Sequence, residues 1–168
     1  MNITDLPTKA ELEYPEIGDL KGIEKDINLL AKAYSSCGSE TTAILQYIFQ
    51  HYVFKDKDVA DILMKIAINE MRHHEMLAEM IVALGGSPYY TNGFGGDYST
   101  RCVYEGKDMI LALNQNIKDE TSGVEYYEEI KKQLSNPKLV QIIDRIILDE
   151  LVHIDTFNKL IEYITFYK

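Results

Sequence analysis

Hydrophobic residues recur at steps of three and four through four long stretches of this chain, near residues 23–54, 58–84, 107–134 and 137–166. In the second stretch Leu63, Ile66, Glu70, His73, Leu77, Met80 and Leu84 share one line; in the fourth, Leu139, Ile143, Ile146, Glu150, His153, Phe157, Leu160 and Ile164 do the same. Such a period predicts amphipathic helices, each with one buried stripe. Both stripes are interrupted alike, by a Glu and a His three residues later. A buried, unpaired carboxylate is costly, so these positions predict a compensating partner.

Turn chemistry sets the expected boundaries. Lys55-Asp-Lys-Asp58 offers acidic caps for the second helix, and Asn136-Pro137 reads as a cap followed by proline at the first helical position. Gly85-Gly86-Ser87-Pro88 ends the second helix, and Gly38 marks a kink within the first. Residues 1–22, with Pro7, Pro15 and Gly18, read as an N-terminal arm on the surface, and 23–168 as one bundle domain. The stretch 85–106 spans ~70 Å when extended, against ~40 Å for a 27-residue helix, so it can cross from one end of a bundle to the other. The expected fold is therefore all-α: a four-helix bundle with a long crossover between helices 2 and 3. Its five aromatics, Tyr89, Tyr90, Phe94, Tyr98 and Tyr104, favour packing on the bundle or on a neighbouring subunit.

The interruptions belong to a larger repeat. Glu40 precedes Glu70-Met-Arg-His73 by the same 30 residues that separate Glu120 from Glu150-Leu-Val-His153, and Tyr47 and Tyr127 each follow the lone glutamate by seven. The midpoints of both spacings, residues 55 and 135, fall in predicted turns, so each pair of glutamates meets at one level of an antiparallel hairpin. On a helix, residues three apart share a face, so Glu70 with His73 and Glu150 with His153 can address one centre. Four carboxylates and two imidazoles offset the charge of two divalent cations and suit iron or manganese better than a thiolate-seeking metal. His74 reads as a surface or interface residue and His51 as packing at the bundle's end, while Arg72 receives no role.

Charge and cysteine usage narrow the rest. A net charge of −10 argues against nucleic acid or an anionic membrane as partner. The sequence contains no apolar run of the ~18 residues a membrane span needs. Cys37 and Cys102 are isolated, without a C-x-x-C pair, and read as two ordinary thiols of a reducing compartment. The expected location is cytoplasmic.

The chain resembles the ferritin-like carboxylate-bridged di-metal family over about residues 23–166. Within it, Gly38-Ser-Glu-Thr-Thr-Ala-Ile-Leu-Gln-Tyr47, Asp119-Glu-Thr-Ser-Gly-Val-Glu-Tyr-Tyr127 and Asp149-Glu-Leu-Val-His153 are most similar to the erythrin domain of rubrerythrins and to manganese catalases. The resemblance implies a ferritin-like bundle holding two Fe or two Mn ions. Glu70 and Glu150 would bridge them, with Glu40 and His73 on one ion and Glu120 and His153 on the other. It also implies that Asp149 accepts the free N–H of His73, that Asn69 faces His153 in the related place, and that Tyr47 and Tyr127 donate to the carboxylates or to a bound oxygen species. The sequence departs from rubrerythrins at Gly123, where they carry a further glutamate, and in having no rubredoxin module, which implies a separate electron donor. Manganese catalases usually have longer chains. The implied activity is a peroxide-consuming oxidoreductase acting on hydrogen peroxide or dioxygen, as a homodimer or higher homo-oligomer. Iron oxidation and storage, or a metal-binding coat-type structural role, are the alternatives.

Overall fold

The computed structural model describes residues 2–167; Met1 and Lys168, the outermost residues of the expected ranges, lie outside the described residues. Among the described residues there are five α-helices and no strand: α1 Glu24–Tyr34, α2 Glu40–Val53, α3 Lys57–Ala83, α4 Met109–Lys131 and α5 Pro137–Tyr167. The side chain of Asp56 accepts from the backbone N–H groups of Asp58 and Val59 to open α3, and Asn136 accepts from the Lys138 N–H (2.9 Å) as Pro137 begins α5. Gly85 closes α3 with φ +86°, a left-handed conformation that other residues adopt only at a cost.

The first stretch is two helices, where one kinked helix was expected. The chain leaves the helical path over residues 35–39, and Gly38 takes φ +75°. Hydroxyls satisfy the carbonyls freed at the break: Ser36 Oγ donates to Lys32 O (2.8 Å), Ser39 Oγ to Ser36 O (2.7 Å), Thr41 Oγ1 to Tyr34 O (2.7 Å) and Thr42 Oγ1 to Ser36 O (2.8 Å). Ser and Thr side chains compete with the helical ladder in this way, and here they restart the helix at Glu40.

Two apolar layers form the core. One joins Leu30, Met76, Leu77, Ile130, Leu139, Ile143 and Ile146; the other joins Tyr47, Ile62, Leu63, Ile66, Leu113, Phe157 and Leu160. Each fully buried Leu or Ile contributes roughly 1.5–3 kcal/mol. Between the layers, at the same level of α3 and α5, lie Glu70, His73, Glu150 and His153. The bundle thus encloses a polar stratum at mid-height.

Residues 2–22 do more than lie on the surface. Ile3, Ile17 and Leu20 are buried. Arg145 of α5 donates to Leu12 O (2.6 Å) and Ala10 O (3.1 Å), and Thr156 donates to Pro7 O (2.7 Å), so the segment is fixed along α5. On the opposite side the crossover lies over the α1–α2 break. Ser35 Oγ donates to Thr91 O (3.0 Å), Tyr98 and Thr42 share a hydroxyl contact of 3.1 Å, and the Tyr104 N–H meets Gln46 Oε1 at 2.8 Å. A disulfide also joins Cys37 to Cys102, with Cα atoms 5.2 Å apart. The expectation of two separate thiols is therefore corrected: 65 residues separate them in sequence, but the crossover brings the short 3-10 turn Thr100–Cys102 back onto the start of α2. Among the described residues, no helix is long and apolar enough to cross a membrane.

Candidate metal centre

Glu40 stands in the first turn of α2, where the helix dipole favours a carboxylate. Glu70 and His73 project from mid-α3, Glu120 from mid-α4, and Glu150 and His153 from mid-α5. All six side chains converge and are at most 6 % exposed. Their donor atoms fall into two groups, Glu40, Glu70, His73 and Glu150, and Glu70, Glu120, Glu150 and His153, each with all its atoms within 4.8 Å of one another. Glu70 and Glu150 belong to both groups. The halves are nearly symmetric: His73 Nδ1 lies 3.7 Å from Glu40 and 3.1 Å from Glu70, while His153 Nδ1 lies 3.7 Å from Glu120 and 3.1 Å from Glu150.

The tyrosines extend that symmetry by crossing the bundle. Tyr47 on α2 donates to Glu120 on α4, and Tyr127 on α4 donates to Glu40 on α2. Burial, and then the charge of the neighbouring glutamate, hold both phenols well above their ordinary pKa, so each remains a donor.

Behind the imidazoles the symmetry ends. Asp149 Oδ2 accepts from His73 Nε2 (2.9 Å) and from Tyr14 Oη (2.5 Å); Oδ1 accepts from the Ala10 N–H (2.7 Å) and lies 2.6 Å from Arg145 Nη1. Burial alone would raise the Asp149 pKa, but the hydrogen bonds from His73, Tyr14 and Arg145 hold it far below the usual carboxylate range. His153 Nε2 instead meets the Thr8 carbonyl at 2.9 Å. This corrects the expectation for Asn69, whose amide does not face His153: it lies 2.7 Å from His73 Nε2 and 3.1 Å from Asp149 Oδ2. The N-terminal segment takes the place behind His153, and the Asp149 carboxylate draws the Asn69 amide to the other side.

The electrostatics fit divalent cations. Burial raises Glu40 and Glu120 well above the ordinary carboxylate pKa, and the charges of Glu70 and Glu150 add to the effect. Burial would lower both imidazoles, yet the facing carboxylates hold His73 and His153 well above their ordinary value. Carboxylates that draw protons onto these rings also draw metal ions towards the Nδ1 atoms. Glu70 Oε1 is buried without a hydrogen-bond partner; His153 Nδ1 approaches it to 2.7 Å but off the hydrogen-bond axis. Such an orphaned anionic oxygen is what a cation satisfies. The donor set fits a dinuclear centre.

The surface reaches this stratum through a narrow cleft lined among others by Ala43, Cys102, Gly123, Glu40, Glu120 and Glu150. A Cβ built at Gly123 would meet nothing within 4 Å. Below the cleft a buried amide ladder links α2 and α4, with Gln46 Nε2 donating to Asn116 Oδ1 (2.9 Å) and Asn116 Nδ2 to Gln50 Oε1 (2.7 Å).

Other singled-out residues lie apart from the centre. His51 Nδ1 meets Ala60 O at 2.7 Å, His74 stacks on Tyr34 at 4.1 Å, and Arg72 pairs with Glu75 at 2.6 Å. Sequence reasoning missed Tyr14, Arg145 and Thr8. Arg145, a charge inside the apolar run of α5 and four residues before Asp149, carried the one available signal.

Residues 35–166 match the ferritin-like domain family. The chain belongs to the ferritin-like family, in its di-metal carboxylate branch. A bacterioferritin from Desulfovibrio desulfuricans is 30% identical to this ferritin-like chain over 142 residues, which are 81% of this chain and 74% of that protein. A probable manganese catalase from Clostridium acetobutylicum is 23% identical over 152 residues, 78% of this chain and 68% of that protein. Among solved structures, a manganese catalase from Anabaena has a TM-score of 0.86 at 22% identity, over 93% of this chain and 80% of that one. The D. desulfuricans bacterioferritin, described with a diiron site, has a TM-score of 0.69 at 28% identity, covering 84% and 80%.

Proposed function

We propose that this ferritin-like protein is a dinuclear iron or manganese oxidoreductase that consumes hydrogen peroxide. The cleft carries this reading: it ends on Glu40 and Glu120, and the small residues Ala43 and Gly123 line it, leaving room for a small oxidant. Glu40, Glu70, His73 and Glu150 would hold one ion and Glu70, Glu120, Glu150 and His153 the other, with Glu70 and Glu150 common to both groups of donors. Two ions held there would supply paired one-electron changes, the stoichiometry of O–O cleavage. Tyr47 and Tyr127 hold their protons against Glu120 and Glu40, which fixes those carboxylates and keeps a donor beside each. Asp149 and the Thr8 carbonyl orient the rings of His73 and His153 so that Nδ1 faces inward. The Anabaena and Clostridium relatives support the catalase side of this reading. Exposed Ile68 and Met71 on α3, with Leu148 and Leu151 on α5, support assembly as a homodimer or higher homo-oligomer.

Elemental analysis of protein isolated without oxygen should find two ions per chain. Stopped-flow peroxide measurements with an oxygen electrode then separate the chemistries. Iron-loaded protein should stop consuming peroxide when its own reducing equivalents are spent and resume when reductant is added. Manganese-loaded protein should disproportionate peroxide unaided and release oxygen. Consumption no faster than that of free metal, with or without reductant, would overturn the proposal. The bacterioferritin relative favours iron oxidation for storage as the second reading, and a hollow multi-subunit shell on sizing would select it.

A further inference from the structure

Besides the carboxylates, the cleft exposes a group that can take up two electrons. Cys102 lines it, and its sulfur is bonded to Cys37, three residues before Glu40. Cys37 is exposed, whereas Cys102 is half-buried. One end of the bond is thus open to solvent while the other belongs to the cleft wall. The crossover is already held by the contacts of Thr91, Tyr98 and Tyr104 with Ser35, Thr42 and Gln46, so the bond duplicates an existing anchorage. A thiol at position 37 would also stand just ahead of the N-terminus of α2, which favours the thiolate.

We propose that Cys37 and Cys102 are a redox-active pair that accepts electrons from an external dithiol and passes them to hydrogen peroxide in the cleft. The proposal rests on the peroxide reading above for its oxidant. In the reducing half, a thiolate of the external dithiol attacks Cys37 Sγ. A mixed disulfide forms, the Cys37–Cys102 bond breaks, and Cys102 leaves as a thiolate. The donor's second thiolate then closes the donor's own disulfide and releases Cys37. In the oxidising half, the Cys102 thiolate attacks one peroxide oxygen: the S–O bond forms, the O–O bond breaks, and the departing hydroxide takes a proton and leaves as water. The Cys37 thiolate displaces hydroxide from the Cys102 sulfenic acid, which restores the S–S bond and, with a second proton, yields a second water. The two sulfurs lose two electrons, the two peroxide oxygens gain them, and the dithiol supplies both protons and electrons.

The test uses the metal-loaded full chain, dithiothreitol as the dithiol, and intact-mass detection after maleimide alkylation. Native, folded protein treated with dithiothreitol should gain two alkyl groups. After removal of the reductant, one equivalent of peroxide per chain should abolish both additions, about tenfold faster than peroxide oxidises glutathione at equal concentration, because the cleft holds peroxide beside the Cys102 sulfur. In steady state, the Cys37→Ser/Cys102→Ser variant should lose dithiothreitol-driven peroxide consumption by a much larger factor than it loses ascorbate-driven consumption. A disulfide that resists dithiothreitol, reduced sulfurs that ignore peroxide, or an unimpaired double-serine variant would each overturn the proposal. The mass measurement needs no variant, so it decides even if the double substitution fails to fold. Loss of ascorbate-driven consumption in wild-type protein, with the sulfurs still reoxidised by peroxide, would sink the metal reading and leave the sulfur pair standing.

Discussion

Asp149 and Thr8 give the two histidines unequal support. A carboxylate behind an imidazole raises its basicity more than a backbone carbonyl does, and losing such a partner typically costs 10–100-fold in metal affinity. Asp149→Asn keeps the shape and removes the charge. It should lower the affinity for one of the two ions by about 10–100-fold with helicity unchanged, as read by competition with a chelator; equal affinity for both ions before and after would refute the assignment. Arg145→Ala should act on the fold instead. It strands Asp149 as a buried charge with one fewer partner and removes the cation over the Tyr14 ring (4.2 Å), a loss of about 3–5 kcal/mol by urea unfolding. Glu70, His73, Glu150 and His153 were legible in the sequence because each broke an apolar period, and Glu40 and Glu120 because each precedes a Glu-x-x-His pair by the same 30 residues. Tyr14 and Thr8 were not, because their partners lie 135 and 145 residues away and leave no local pattern.

Among the elements, the two long hairpins were legible from period and caps, whereas the break between α1 and α2 was not. Apolar spacing continues from Leu30 and Ala33 into α2, so periodicity reads a single segment; the interruption is made by hydroxyls of Ser36, Ser39, Thr41 and Thr42, which periodicity does not register. Gly123 presents the opposite situation, a residue of low helix propensity in an unbroken helix with free space around it. Gly123→Ala should therefore raise stability by about 0.5–1 kcal/mol in denaturant unfolding. Any loss of peroxide turnover in that variant would then report a narrowed cleft rather than a loosened helix. Reducing the Cys37–Cys102 bond reopens a 65-residue loop in the unfolded chain. Chain entropy predicts about 4 kcal/mol lower stability, visible as an earlier urea midpoint under dithiothreitol, with the native contacts of the crossover retained.

For the molecule as a whole, the polar stratum makes stability depend on protons and metal together. Glu40, Glu120, His73 and His153 have raised folded-state pKa values, so the stability they give the metal-free bundle is present at low pH and lost as pH rises through those values. Glu70, Glu150 and Asp149 are lowered, and their contribution is lost only as pH falls through their folded values. Bound ions replace the protons and remove the loss at high pH. The difference in Tm between metal-loaded and chelated protein should accordingly widen from about pH 6 to pH 8 in thermal melts; a constant difference would mean that protons and metals do not compete for these groups. The clasp of residues 8–14 on α5 adds a matter of timing. Thr8 emerges from the ribosome 145 residues ahead of His153, and Ala10 emerges 139 residues ahead of Asp149. A nascent chain therefore cannot complete either histidine's surroundings until α5 has been synthesised, which postpones tight metal capture until the last helix of the bundle has docked on the first residues of the chain.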